Sequence, residues 1–278
     1  MMVSTYDDSR LLVVLQIDHS RVAGLLAAHW GNNVFAEPSP YSSVVVAAQE
    51  HDNGWWDWEI KPNPNDEGYP IDYITGGGLS RAIHTAFDRN GIARVAQQDP
   101  YAGLLVGMHQ AGLNCGGYGL LPHMKDRRHI PEVGEFMRYF EEEVRPALLK
   151  ELRQSQEHAE FSTDEHIWTN YKLMEVFDQL AQFICNRYPF NSTERRNGPS
   201  NVISNVPVGP GKEDTSMTVT VLDEKRAVVQ PFPFDVSPLE VSFPGRLVPN
   251  RRYPDRADFL RQFYKAERLT ITHVLEAP

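Results

Sequence analysis

The stretch Val44–Trp55, VVVAAQEHDNGW, carries an apolar run that ends in an adjacent histidine and aspartate. At helical spacing, His51 and Asp52 fall on the same face as Val44 and Ala48, so the polar pair points toward the interior. A buried carboxylate beside a buried imidazole is costly unless a hydrogen-bond partner or a metal ion compensates for it. The stretch therefore predicts a helix that delivers a His-Asp pair to the core, and it raises the question of further metal ligands.

Composition narrows the class of protein. The chain has 278 residues, of which 41% are hydrophobic and 23% charged, as in ordinary globular domains. Its net charge of −10 argues against a nucleic-acid partner, and the early apolar run Leu11–Leu15 is too short to span a membrane. Cys115 and Cys185 lie in no C-x-x-C pair, which favours a reducing cytoplasm and a site without thiolate ligands. We expect a cytoplasmic protein with a small-molecule substrate, and the sequence leaves a homodimer open.

The hydrophobic pattern predicts mostly helices, followed by strands near the end of the chain. Helices are indicated over residues 18–30 with Asp18 as N-cap, through the central stretch, and over 79–90, 101–111, 131–158 with a bend at Pro146, and 167–187. Strands are indicated over residues 10–17, 217–234 with a turn at 223–225, 239–248 and 269–275. We predict a mainly α helical bundle, residues 1–190, with residues 10–17 as a strand. Residues 191–278 are predicted to be a linker and a small β-rich element packed on the same body, in which the N-terminal strand pairs with the C-terminal strands.

Candidate partners for the His-Asp pair occur in four other predicted helices. They are His19, His84, His109 and Asp178, each close in phase to apolar side chains of its helix. Four imidazoles and two carboxylates suit one or two divalent ions, with iron, manganese, zinc or nickel as candidates, and two ions require Asp52 to bridge them. The alternative is a hydrogen-bonded core pair at His51-Asp52 and ordinary core histidines at His84 and His109.

A family resemblance rests on these same residues. The segment His19–Ala27, followed by Ala47–Gly54 with its His-Asp doublet, resembles the HD-domain metal-dependent phosphohydrolase superfamily. The superfamily pattern closes with an aspartate on a later helix, matched here by Asp178 in EVFDQLA, and the resemblance covers roughly residues 18 to 187. The HDNGW core, which includes Trp55, is similar to that of a bacterial branch. The resemblance implies an HD-like helical bundle.

The resemblance also implies ligands and a reaction. One ion would be held by His19, His51, Asp52 and Asp178, and a second ion by Asp52, His84 and His109. His51 and Asp52 would then be catalytic, and a metal-bound hydroxide would hydrolyse a small phosphorylated or nucleotide-like substrate.

Basic and aromatic residues are candidates for substrate binding. Arg81 lies one turn before His84, a cluster of basic residues follows His109, and Trp55 follows Gly54; the full candidate set is Arg81, Lys125, Arg127, Arg128 and Trp55. The alternative for the cluster is a solvated loop. Several catalytic HD branches carry Lys where this chain has Trp55, which leaves two rival functions open: an HD-type di-iron oxygenase with the same ligands, and a non-catalytic metal- or nucleotide-binding sensor.

One glycine-rich segment is not assigned to the site. Residues 114–119, NCGGYG, follow a predicted helix rather than a strand and lack the Lys-Ser/Thr of a P-loop. The segment is therefore not interpreted as a phosphate-binding loop.

Overall fold

The computed structural model describes residues 1–73, 79–122, 124–187, 189–190 and 201–278. In these residues, helices pack against a seven-stranded mixed sheet with strand order β1-β2-β6-β7-β5-β4-β3. The strands are β1 (Met2–Asp7), β2 (Arg10–Val14), β3 (Val202–Val206), β4 (Thr215–Val221), β5 (Arg226–Gln230), β6 (Leu239–Pro249) and β7 (Glu267–Glu276). All neighbouring strands are antiparallel except β5 and β7, which are parallel.

The predicted mainly α fold with a small β element is wrong. The strands form one large sheet that curves into a half-barrel, so the chain is an α/β protein. The sequence pattern misses β1 and β3, because MVSTYD and VISNV contain polar residues and lack a clean apolar alternation over strand length. Without these two strands, the sheet is underestimated.

The strands that were predicted do pair as expected. β2 lies beside β6, with Leu11 opposite Val248, so the two ends of the chain share one sheet. The hairpin turning at residues 223–225 joins β4 to β5, with Val221 opposite Ala227. Of the predicted linker, residues 191–200 lie outside the described residues, and 202–206 form β3.

Nine α-helices are found in the described residues. They are α1 (Gln16–Ala28), α2 (Tyr41–Glu50), α3 (Trp56–Glu59), α4 (Arg81–Gln98), α5 (Pro100–Gly112), α6 (Pro131–Arg138), α7 (Arg145–Gln154), α8 (Asp164–Cys185) and α9 (Arg256–Lys265). A π-helical segment, Tyr139–Val144, interrupts the predicted long helix near Pro146. No helix in the described part of the chain is long and apolar enough to cross a membrane.

The core is continuous between the helical and the β-rich parts. Helix α5 is buried along almost its whole length and packs against α2, α4 and α8. One hydrophobic cluster contains Val22 of α1, Phe177 of α8, Val219 of β4 and Ile271 of β7. The described parts of residues 1–190 and 201–278 thus share one hydrophobic core.

Two of the helix boundaries that differ from the prediction lie next to the site. Helix α4 does not end at Asn90 but continues to Gln98, because Gly91 is a packing glycine rather than a C-cap. A Cβ at Gly91 would lie 2.8 Å from the amide nitrogen of Gly54, so the two glycines let α4 approach the turn after Asp52. Helix α1 begins at Gln16, and Asp18 lies inside its first turn, where it pairs with Arg21 at 2.9 Å.

The N-terminus of α1 is capped by a distant side chain. Glu59 accepts hydrogen bonds from the amide nitrogens of Gln16 at 2.8 Å and Ile17 at 3.3 Å, and its Oε1 lies 3.0 Å from the α-amino group of Met1. Both members of the ion pair are fully buried. Glu59 therefore fixes the helix that carries His19.

Replacing Glu59 with Ala should lower the free energy of unfolding by about 3–5 kcal/mol, because a buried charge loses its partner and two helix N–H groups lose their acceptor. Urea unfolding followed by circular dichroism measures this change. Glu151→Ala on an exposed position of α7 is the control and should change stability by less than about 0.5 kcal/mol. Equal stabilities of the two variants would contradict the capping role.

Candidate metal centre

Three buried side chains from three helices converge in the interior. His19 comes from α1, His51 follows the last residue of α2, and Asp178 comes from α8. Asp178 Oδ1 lies 2.9 Å from His19 Nε2 and 3.3 Å from His51 Nε2. The ligand atoms all lie within 4.8 Å of one another, so this buried group could hold a metal ion.

The orientation of His51 is fixed by its own helix. Its Nδ1 donates a hydrogen bond to the carbonyl of Ala48 at 2.8 Å, which leaves Nε2 facing the carboxylates. Within the described residues, the buried Nε2 has no hydrogen-bond partner of good geometry. Burial alone would lower the pKa of His51, but Asp52 and Asp178 raise it above its usual value. The surroundings of this nitrogen thus favour a positive charge.

Asp178 is held in its anionic form. Burial by itself would raise its pKa, but His19 and His51 together hold the pKa of Asp178 well below its usual range. Gln182 donates to the other carboxylate oxygen at 2.7 Å. The carboxylate is therefore ionised and fixed at neutral pH.

Asp52 borders the buried group. Its Oδ2 lies 3.5 Å from His51 Nε2 and 4.0 Å from His19 Nε2, and it accepts a hydrogen bond from Gln16 at 3.2 Å. The predicted interior direction of the His-Asp pair is confirmed, since both side chains are buried.

His109 lies next to His51. The two ring centroids are 5.1 Å apart in an edge-to-face arrangement, and His109 Nδ1 lies 2.8 Å from Glu175 Oε1. Burial would lower the pKa of His109, yet the neighbouring carboxylate of Glu175, with Asp178 and Asp52, raises it to about 9.

His84 has different surroundings. Its ring packs edge-on against Trp55 at 5.2 Å, and burial, followed by the charges of Arg81 and Arg127, lowers its pKa to about 4. Its imidazole is thus neutral at pH 7. The structure does not bring His84 into the buried group of His19, His51 and Asp178, and its role as a ligand stays a prediction.

The predicted substrate-binding residues separate into two sets. Burial, followed by the charge of Arg81, lowers the pKa of Arg127, and the charges of both arginines add to the effect of burial on the pKa of His84. Arg127 also donates to the carbonyl of Leu113 at 3.0 Å, which fixes its side chain. Arg128 instead forms an exposed ion pair with Asp126 at 2.5 Å, and the exposed Lys125 makes no hydrogen bond or ion pair with the residues that the structure describes.

Sequence reasoning missed three residues near the site. Burial, then the charge of Asp52, raises the pKa of Asp88 to about 8, and its position one turn after His84 on α4 was a usable signal. Burial raises the pKa of Tyr73, and the charge of Asp178 adds to this rise. The Tyr73 hydroxyl accepts a hydrogen bond from Asn186 at 3.0 Å. Glu175 lies one turn before Asp178 on α8, but nothing in the local pattern pairs it with His109.

Comparison with known proteins identifies the family. A family model described as "Protein of unknown function (DUF3891)" matches residues 1–250. The chain belongs to this family. The DUF3891 match contains every residue of the buried group and ends just after β6. No curated protein and no solved structure gave a significant match.

Proposed function

We propose that this DUF3891 chain is a metal-dependent hydrolase that acts on a small phosphorylated or nucleotide-like molecule. One divalent ion would be held by His19, His51, Asp52 and Asp178. The observation that carries the proposal is the buried Nε2 of His51, which lies between two carboxylates without a well-formed hydrogen bond. Buried polar atoms in folded proteins are rarely left in this state, and a cation would complete the site.

The donor set fits a borderline first-row metal. Two imidazole nitrogens and two carboxylate oxygens are ligands that iron, manganese, zinc and nickel all accept. When bound, such an ion would acidify a coordinated water and stabilise the negative charge that develops on a phosphate. Hydrogen bonds from Gln16 to Asp52 and from Gln182 to Asp178 hold the carboxylates in place, as expected of a preorganised site.

The residues around His84 are the proposed substrate-binding residues. Arg81 and Arg127 carry like charges, and the charge of Arg81 contributes to lowering the pKa of Arg127. Within the described residues, neither guanidinium group has a carboxylate partner in a hydrogen bond or an ion pair. An anion such as a phosphate would relieve the repulsion between them. Trp55 would form an apolar wall beside it, through its contact with His84.

A second ion is a further part of the proposal. Asp52, His84 and His109 would hold it, and His109 already lies against His51. His84 would have to turn from Trp55 to take part, so the one-ion site is the leading version.

Elemental analysis of protein purified without chelator tests the metal. We expect about one equivalent of a divalent metal in the wild type, or about two if the second site fills, and a loss of that metal in His51→Ala. His29→Ala is the matched control, because His29 lies at the end of the same helix as His19 and pairs with Asp235 away from the site. Circular dichroism of both variants confirms that they are folded.

Activity is then tested on p-nitrophenyl phosphate, bis-p-nitrophenyl phosphate and nucleoside monophosphates. Hydrolysis that falls by at least about 100-fold in His51→Ala and is unaffected in His29→Ala supports the proposal. If the protein contains iron and consumes oxygen, the oxygenase function replaces the hydrolase function. If it binds a nucleotide without turnover, the sensor function replaces the hydrolase function. A wild type that takes up no metal would overturn all metal-based versions.

A further inference from the structure

We infer that Glu175 is a positioning residue for His109, and that His109 adds an imidazole to those of His19 and His51 whether the site holds one ion or two. The inference rests on the proposed function and extends it to a residue outside the proposed ligand set. Glu175 and Asp178 are three residues apart on α8 and therefore lie on the same helical face. One helix would thus supply both a ligand carboxylate and the carboxylate that orients a neighbouring ligand.

The contact between Glu175 and His109 determines which ring nitrogen is left as a potential ligand. Glu175 Oε1 lies 2.8 Å from His109 Nδ1, and a carboxylate accepts hydrogen bonds, so Nδ1 carries the hydrogen. His109 Nε2 is then the ring nitrogen on the far side from Glu175. The ring lies edge-to-face with that of His51, which places His109 beside the buried group. Carboxylate–histidine pairs of this kind fix the orientation of metal-bound imidazoles in many proteins.

Packing alone does not require this arrangement. Both side chains are almost completely buried, and a buried ion pair is seldom better for stability than well-packed apolar side chains of similar volume. Moreover, Glu175 Oε2 has no hydrogen-bond partner of good geometry among the described residues. The Glu175–His109 pair is therefore better explained by the orientation of His109 than by a contribution to stability.

The glycine-rich segment 114–119 contacts α8 close to Glu175 through Tyr118. Tyr171, one turn before Glu175 on α8, packs edge-on against Tyr118 at 5.4 Å, and Tyr118 donates a hydrogen bond to Glu141. Tyr118 has a φ of 53°, and Gly116, Gly117 and Gly119 also have positive φ, so the segment adopts a backbone that few other sequences allow. A Cβ at Gly112 would lie 2.2 Å from the Tyr171 hydroxyl. The segment and Gly112 thus make the space for the Tyr171 ring, whose hydroxyl interacts with the carboxylate of Glu175.

Nuclear magnetic resonance and metal titration on the full-length protein test the inference. The first readout is the His109 Nδ1 proton of metal-free protein, expected as a downfield, slowly exchanging signal in the wild type. Glu175→Ala should lose this signal, and Glu175→Gln, which keeps an acceptor oxygen, should retain it with a changed shift. The second readout is the Zn²⁺ dissociation constant, measured by competition with a chelator.

We expect Zn²⁺ to bind about 10–100-fold more weakly to Glu175→Ala than to the wild type, with a smaller loss in Glu175→Gln. Glu165→Ala is the matched control, because it makes the same change at an exposed position on the first turn of α8, and its affinity should stay within about threefold of the wild type. If Glu175→Ala does not fold, the isosteric Glu175→Gln must still show the shifted signal and a weaker affinity.

The outcomes separate this inference from the proposed function. A persistent, unshifted Nδ1 signal in the Glu175 variants, or unchanged Zn²⁺ affinity, would overturn the role of Glu175 even if the wild type hydrolyses phosphoesters. Conversely, consider a wild type that hydrolyses none of the substrates and Glu175 variants that bind Zn²⁺ more weakly than it does. The first result would overturn the hydrolase function, and the second would support the positioning role of Glu175. A wild type that binds no Zn²⁺ would overturn both.

Discussion

Replacing Asp178 with Asn is expected to weaken metal binding by more than about 100-fold, beyond the loss typical of residues that only orient ligands. The side chain keeps its size but loses the negative charge that lies 2.9 Å from His19 Nε2 and 3.3 Å from His51 Nε2. An amide oxygen is a weaker ligand than a carboxylate for a first-row divalent ion. Metal content after purification and chelator competition measure the effect.

Asp164→Asn is the control for this variant. Asp164 lies on the first turn of the same helix, is almost fully exposed and pairs with Arg153. The control should bind metal like the wild type. If Asp178→Asn retained a full equivalent of metal at wild-type affinity, the buried group of His19, His51 and Asp178 would be a hydrogen-bonded cluster of the core rather than a metal site.

Gly54→Ala should cost about 3 kcal/mol or more of stability and weaken metal binding as well. A Cβ on Gly54 would lie 2.2 Å from the carbonyl oxygen of Phe87 and 2.7 Å from its carbonyl carbon. Both are backbone atoms of α4, so no side-chain rotation relieves the contact, and α4 has to move away from the turn that follows Asp52. Thermal unfolding and the Zn²⁺ dissociation constant measure the two effects.

Gly91→Ala and Ala86→Gly provide the comparison on α4. In an isolated helix, Gly91→Ala would add up to about 1 kcal/mol of stability. In this protein the added Cβ would lie 2.8 Å from the amide nitrogen of Gly54, so we expect this gain in stability to be lost. Ala86→Gly on an exposed position changes helix propensity alone and should cost about 1 kcal/mol with no change in metal binding. A Gly54→Ala variant as stable as the wild type would show that the close approach of α4 is not needed.

Local patterns predict the parts of the site that depend on helix phase. His51 and Asp52 are buried as predicted, and helix α5 begins at Asp99-Pro100, where Asp99 accepts hydrogen bonds from Tyr101 and Ala102. Helical periodicity and capping depend on residues a few positions apart, so a single sequence contains this information.

The features that the sequence did not reveal depend on distant contacts. Glu175 is 66 residues from His109, and Glu59 caps a helix that begins 43 residues earlier. Gly91 resembles a helix terminator until its packing against Gly54 is known. The sheet is underestimated because β1 and β3 lack a clean apolar alternation, and the parallel pairing of β5 with β7 also joins segments that no local pattern relates.

The position of β7 in the sheet sets an order of assembly during synthesis. β7 lies between β6 and β5, and it is the last strand along the chain. Before residues 267–276 leave the ribosome, β1, β2 and β6 can form one short sheet and β3, β4 and β5 another, each with an unpaired edge. Only the insertion of β7 joins them. The edges of β6 and β5 therefore stay open until β7 has been synthesised and inserted, and association with other chains has to be prevented during this interval.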